Sequence, residues 1–236
     1  MSMRWLCFGI CEGQMARTDW FRNTVWNADI EAAYREKLAR SRSSRPQYLT
    51  IQAGYLTKKY PNVALSLIDE YFDTHDDFHI ASALCIRAVS YITLGQISEA
   101  VITYKQALDW ELSHPGRTTT AGIDLAKLVV NQRLSNEYDY VLEILTTRFK
   151  PSDLQFPSLR YRWNGCNALI ANDLGHTAEA IEFAERALQA AAQTESPYRY
   201  HRDVGVVRDA SDEFARRLKR IARPSKLRSL FRLIIR

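Results

Sequence analysis

Two histidines four residues apart, His75 and His79, stand among Asp73, Asp76 and Asp77. On a helix this spacing puts both imidazoles on one face, as a zinc site requires. The simpler reading is structural: Asp76 and Asp77 open a helix, where acidic groups meet the positive end of its dipole. No His-Glu-x-x-His occurs in the chain. His201-Arg202-Asp203 has the letters of a kinase catalytic loop, but no Gly-rich loop or downstream Asp-Phe-Gly goes with it. Gly116-Arg117-Thr118-Thr119 lacks the Gly-Lys-Ser/Thr of a phosphate loop, and there is no Gly-x-Ser-x-Gly. Cys85 and Cys166 sit in helix-like stretches and read as small buried thiols in a reducing compartment. Cys7 and Cys11 form a C-x3-C with no second ligand pair at zinc spacing. These patterns predict a protein that is not an enzyme and has no metal or cofactor.

Another chemistry is better supported. Leu159-Arg160-Tyr161-Arg162-Trp163-Asn164 mixes aromatic rings with guanidinium groups, and Tyr198-Arg199-Tyr200-His201-Arg202 repeats the mixture. Such residues dominate binding hot spots because they offer rigid area with a polar handle. Tyr161 and Trp163 equally fit packing against a neighbouring helix. Arg160 and Arg162 have a less obvious core role.

The elements that position these residues come from a repeat. Leu94-Gly95-Gln96-Ile97-Ser98-Glu99-Ala100-Val101 recurs 80 residues later as Leu174-Gly175-His176-Thr177-Ala178-Glu179-Ala180-Ile181. Leu84, Ala88, Tyr91 and Leu94 mark one helical stripe. Gly95 supplies the left-handed residue that ends it. Ala100, Val101, Tyr104, Ala107 and Leu108 mark the inner face of a second helix, opened near Ser98 and ended by Pro115. Two stripes joined by a Gly turn make a helical hairpin, which needs neighbours to cover its remaining face.

The pattern resembles the tetratricopeptide repeat. Leu84, Ala88, Tyr91, Gly95, Ala100, Tyr104 and Ala107 occupy the expected places in one copy. Ala168, Ala171, Gly175, Ala180, Ala184 and Ala187 do so in the other, with Pro197 downstream. Halving the spacing predicts a further turn near Ser135-Asn136-Glu137-Tyr138-Asp139, and a degenerate unit precedes the first copy around a Lys58-Lys59-Tyr60-Pro61 turn. The period is longer than the usual 34 or so of the family.

The expected fold is all-α: a right-handed α-solenoid of about four TPR-like hairpins, with an N-terminal helix and a C-terminal basic helix. The helix spans 25–42, opened by Asn23 or Thr24. Hairpins span 46–73, 77–113, 118–149 and 156–194. A connector covers 195–208, and a basic helix covers 209–223 before Pro224, with room for a short helix at 225–236. The division is therefore an N-terminal extension (1–17), a repeat domain (18–208) and a basic segment (209–236). Trp20-Phe21-Arg22-Asn23-Thr24, Trp26-Asn27 and Ile30-Glu31-Ala32-Ala33 also resemble the opening of a class of uncharacterised bacterial repeat proteins, which implies bacterial origin but no chemistry.

In the tetratricopeptide family the first helix of each hairpin lines a concave groove. The resemblance implies that Arg162, Leu169, Asn172 and Asp173 face that groove, together with Leu125, Val129 and Gln132. Arg162, Leu169, Asn172, Asp173 and Gln132, with Arg160, Trp163 and Tyr200 from the aromatic and guanidinium patches, form the candidate partner-binding set. The expected function is a protein–protein interaction module holding a peptide or protein: an adaptor, a chaperone-like factor or a toxin-neutralising partner.

Charge is unevenly placed. The net charge of the chain is +5, yet nine basic residues and no acidic one lie between Phe214 and Arg236. Phe214, Leu218 and Ile221 make an apolar stripe among these bases. One reading is a helix that covers the open end of the stack. The alternative is a peripheral membrane or nucleic-acid-associated protein attached through this tail. Nucleic acid is disfavoured because aromatic residues for stacking are sparse there. No apolar run approaches the roughly 20 residues that cross a bilayer, and residues 1–14 carry no clear cleavage site, so the expected location is cytoplasmic. Uncovered hairpin faces leave pairing of two copies open.

Overall fold

The computed structural model describes residues 19–150 and 154–223. The extension with Cys7 and Cys11, and the segment after Arg223, lie outside the described residues. In chain order the helices are α1 (Ala28–Ala39), α2 (Arg45–Leu56), α3 (Pro61–Phe72), α4 (Ile80–Thr93), α5 (Ile97–Ser113), α6 (Ala121–Gln132), α7 (Tyr138–Arg148), α8 (Pro157–Asp173), α9 (Thr177–Ala191) and α10 (Glu213–Ala222), with a 3-10 turn at Ser135–Glu137. The described residues contain no strand, and the protein is all-α. The helices pair as the hairpins α2–α3, α4–α5 and α8–α9, and α6 meets α7 where Gly122 lies against Ile144; all four lie within a few residues of the expected bounds. They belong to two compact units, with the boundary between Ala121 and Gly122.

The first helix departs from expectation. It begins at Ala28, capped by Asn27, whose side chain accepts from the Ile30 N–H at 2.9 Å. Asn23 is engaged elsewhere. Its backbone and side-chain N–H groups both donate to Gln52 Oε1 at 2.9 Å, and Gln52 Nε2 donates back to the Asn23 carbonyl at 2.8 Å. Gln52 is fully buried, so this exchange satisfies an amide that would otherwise be costly inside a core. A long-range partner took the residue that local capping rules favoured.

The repeated turns share one geometry. After α4, Gly95 has φ 75°; its N–H bonds to the Ile92 carbonyl, and the Gln96 N–H bonds to that of Tyr91. After α8, Gly175 has φ 83°, with the matching bonds from Gly175 to Asn172 and from His176 to Ala171. These are Schellman closures, which satisfy the last helical carbonyls. The third turn after α6 uses the same bond from Leu134 to Val129, but its left-handed residue is Arg133, at φ 54°. A side chain in that region carries a cost that glycine avoids. The hidden repeat is therefore real in backbone geometry although its glycine signal is missing.

Small residues let the paired helices approach. Ala88, Ala100, Ala107, Ala168, Ala180 and Ala187 are all fully buried. The core of the first unit joins Tyr34 and Leu38 of α1 to Leu49, Ala53 and Leu56 of α2 and to Leu67, Ile68 and Tyr71 of α3. Before α1, Phe21 stacks on Tyr48 at 4.4 Å and Trp20 meets the same ring edge-on at 4.9 Å.

In the second unit α10 packs on α8 and α9. Phe214, Ala215 and Leu218 are buried, and Phe214 fits because position 165 has no side chain. A Cβ on Gly165 would lie 2.5 Å from Phe214 Cζ. Asp212 caps α10 by accepting from the Ala215 N–H at 2.9 Å. The basic helix, set apart in the sequence with the tail, is thus part of the second unit's core.

Candidate functional site

The α8–α9 hairpin carries a cleft of about 350 Å³. Its floor is apolar, from Leu154, Trp163 and Ala190; its rim is polar, from Arg160, Asn164, Arg186, Gln189 and Gln193. Arg186 and Gln189 lie on one face of α9, and Gln193, just past its end, continues the row opposite Arg160 and Asn164 on α8. Arg160 is held rigidly. One terminal nitrogen donates to the carbonyls of Leu154 and Gln155, both at 2.9 Å, and the other donates to Gln193 Oε1 at 2.6 Å. A guanidinium has five N–H groups, so two remain for a ligand. Arg186 pairs with Glu182, a neighbour one turn away on the same exposed face. The rim is rich in hydrogen-bond donors over an aromatic base, an arrangement that suits acceptors carried on a peptide or protein surface.

The connector that follows α9 closes over the start of α8. Gly205 sits so close to Phe156 that an added Cβ would fall 2.0 Å from its ring. The Gly205 carbonyl accepts from the Ser158 N–H at 2.8 Å, satisfying one of the orphan donors of the helix start. Tyr198 packs edge-on against Phe156 at 5.3 Å, whereas Tyr200 is 85% exposed, with the Arg199 guanidinium 5.8 Å from its ring.

The structure sorts the expected partner-binding set by exposure. Arg160 lines the cleft, and Tyr200, Asn172 and Gln132 are exposed. Leu169 is fully buried and so is a core residue of α8 rather than a groove residue. Trp163 is also buried, its indole N–H donating to the Leu145 carbonyl at 3.1 Å and its ring meeting Phe183 edge-on, although one edge forms the cleft floor. Leu125 and Val129 of α6 are buried too. Arg162 is engaged with Asp124 in an ion pair of low exposure that ties α8 to α6. Asp173 is likewise engaged. It accepts from Tyr138 Oη at 2.7 Å and from Arg217 at 3.5 Å, and Arg217 also donates to the Val130 carbonyl at 2.6 Å. Arg217 thus places a positive charge at the C-terminal end of α6, where the dipole favours it, and joins α6, α7, α8 and α10. Arg186, Gln189 and Gln193 were not anticipated; their helical spacing along and just past α9 was the available signal.

The considered metal pair is taken apart by the backbone. His75 has φ 58° in the loop after α3, and His79 stands just before α4, so no helix holds them on a shared face. Asp76 accepts from the His79 ring and backbone at 2.9 and 3.1 Å and from Tyr71 Oη at 3.0 Å. Burial pushes the Asp76 carboxyl up, but the hydrogen bonds from His79 and Tyr71 outweigh it and hold the group below its usual range. Asp76 holds the residue before α4 through the His79 N–H, but α4 itself starts without a side-chain cap, so the expected capping by Asp76 and Asp77 is not what the structure shows. The described residues contain no group of His, Cys, Asp and Glu that could hold a metal. Burial pushes the Cys166 thiol up to about 12, which keeps it protonated and unreactive.

No helix among the described residues is long and apolar enough to cross a membrane. No curated protein and no solved structure matches the chain. Residues 81–114, which span α4 and α5, match the family model described as Tetratricopeptide repeat. The α4–α5 hairpin is therefore similar to a tetratricopeptide repeat, and repeats of this kind act generally as protein–protein interaction modules.

Proposed function

We propose that the chain holds a protein or peptide partner on the second unit, with the α8–α9 cleft as its contact surface and Tyr200, in the connector after α9, as an exposed aromatic anchor. The fixed Arg160 guanidinium carries the reading. It is pre-organised by three hydrogen bonds, so little rotamer freedom remains to be lost when a partner binds. Asn164, Arg186, Gln189 and Gln193 supply further polar groups around an apolar base. The role is that of a cytoplasmic adaptor, a chaperone-like factor or a toxin-neutralising partner. Asn172 and Gln132 are exposed at the ends of α8 and α6 and stay in the candidate set; Arg162 and Asp173 are engaged in ion pairs within the unit.

The test needs variants that leave the fold alone. Arg186→Glu and Gln189→Ala change exposed side chains on α9. A partner captured by the native chain is purified and titrated against each variant by calorimetry. A weakening of about 10-fold or more is expected if these residues are central, the size of effect that hot-spot truncations give. Unchanged affinity for both variants would remove the cleft from the reading.

A further inference from the structure

The buried side of α10 leaves a cationic side in solvent. Phe214, Ala215 and Leu218 face the protein, so the apolar stripe of this helix is already covered. Arg216, Lys219, Arg220 and Arg223 are exposed and recur at i, i+3, i+4 and i+7, which places them on one face. Arg216 is partly neutralised by Glu213 at 2.9 Å, and Lys219 donates to the Ala210 carbonyl at 3.1 Å. The sequence continues with Lys226, Arg228, Arg232 and Arg236, has no acidic residue, and interleaves Leu227, Leu230, Phe231, Leu233, Ile234 and Ile235.

We propose that this face of α10 docks the protein on an anionic lipid bilayer. The negative potential of such a surface attracts each nearby Lys or Arg by a factor of about five. Docking of α10 on α8 and α9 holds the bases on a fixed side of the protein, so they act together. The composition after Arg223 favours lipid over nucleic acid. Phosphates of either kind reward the bases, but only an acyl region rewards six closely spaced Leu, Ile and Phe residues. Phe231 is the sole aromatic residue there that could stack on a base.

The full chain is sedimented with phosphatidylcholine vesicles, with or without about one quarter phosphatidylglycerol, at low salt. Binding to the anionic vesicles alone is expected, and it falls steeply as salt is raised. The triple variant Lys219→Glu, Arg220→Glu, Arg223→Glu is checked for an unchanged thermal melt. Its affinity falls by about 100-fold or more, from three charges at a factor of about five each. A second full-length variant, Phe231→Ser with Ile234→Ser, weakens binding without altering its salt dependence. Equal binding to neutral vesicles, full retention by the triple variant, or tighter retention on DNA than on anionic vesicles at the same salt would each overturn the assignment.

Discussion

The contact between Gly165 and Phe214 predicts a substitution whose sign depends on its background. In α8, Gly165→Ala gains about 1 kcal/mol of helix propensity. The new methyl would lie 2.5 Å from Phe214 Cζ, 2.7 Å from Cε1 and 3.1 Å from Leu218 Cδ1. Ordinary carbon contacts are about 3.5–4.0 Å, so a ring that is 1% exposed must give way by roughly an ångström. Overpacking of this kind costs about 1–3 kcal/mol. The expected net effect is a loss of about 1 kcal/mol. Phe214→Ala alone costs about 3–5 kcal/mol, as for other large core truncations. In that background the clash with the ring is gone, and Gly165→Ala becomes stabilising by about 0.5–1 kcal/mol. The coupling between the sites is then about 2 kcal/mol, well above what independent positions show. Urea unfolding of the four proteins, followed by far-ultraviolet circular dichroism, gives the cycle directly. Additive effects, or stabilisation by Gly165→Ala in the native background, would show that Phe214 does not seat against α8 and would undo the account of how α10 is held.

Other outcomes follow from single residues. Arg133→Gly relieves a left-handed side chain and should stabilise by about 1 kcal/mol, read as a raised urea midpoint; Gly95→Ala, at φ 75°, should lose a similar amount. Tyr161 is buried and its hydroxyl has no hydrogen-bond partner among the described residues, so Tyr161→Phe should be neutral or stabilising by about 1 kcal/mol in the same assay. Arg162→Glu sets two carboxylates against each other, with Asp124 as the other, and should lower the melting temperature whether or not a partner is present. Cys166, its pKa raised to about 12 by burial, should resist alkylation at pH 8 until denaturant is added, with mass spectrometry identifying the modified cysteine. Because the pKa is raised above the ordinary thiol value of 9.0, the neutral thiol favours the folded state, and this contribution is lost as pH rises from about 9 toward 12.

The hairpins were legible because their signals are local. Gly95 and Gly175 mark left-handed closures by residue type alone, and the alanines at 100, 107, 180 and 187 mark close approach by spacing alone. The turn at Arg133 was found only through the period, since arginine gives no local sign of positive φ. The candidate surface was less legible. Arg160 and Arg162 look alike in the sequence, two residues apart in a run of arginines and aromatics. On a helix they point some 200° apart: one reaches the cleft beside α9 and the other turns to Asp124 on α6.

The sequence by itself determined the helical class, the hairpin bounds and the concentration of positive charge after Phe214, because periodicity, turn chemistry and charge are properties of neighbouring residues. The tertiary structure alone decided which side chains remain available. It bonded Asn23 to Gln52, buried Leu169, joined Asp173 to Tyr138 and Arg217, and turned the apolar stripe of α10 inward against Gly165. Each of these depends on residues from 29 to 49 positions apart, or on burial by other helices. Local rules carry no information about such partners, whereas packing and the need to satisfy buried polar groups select them.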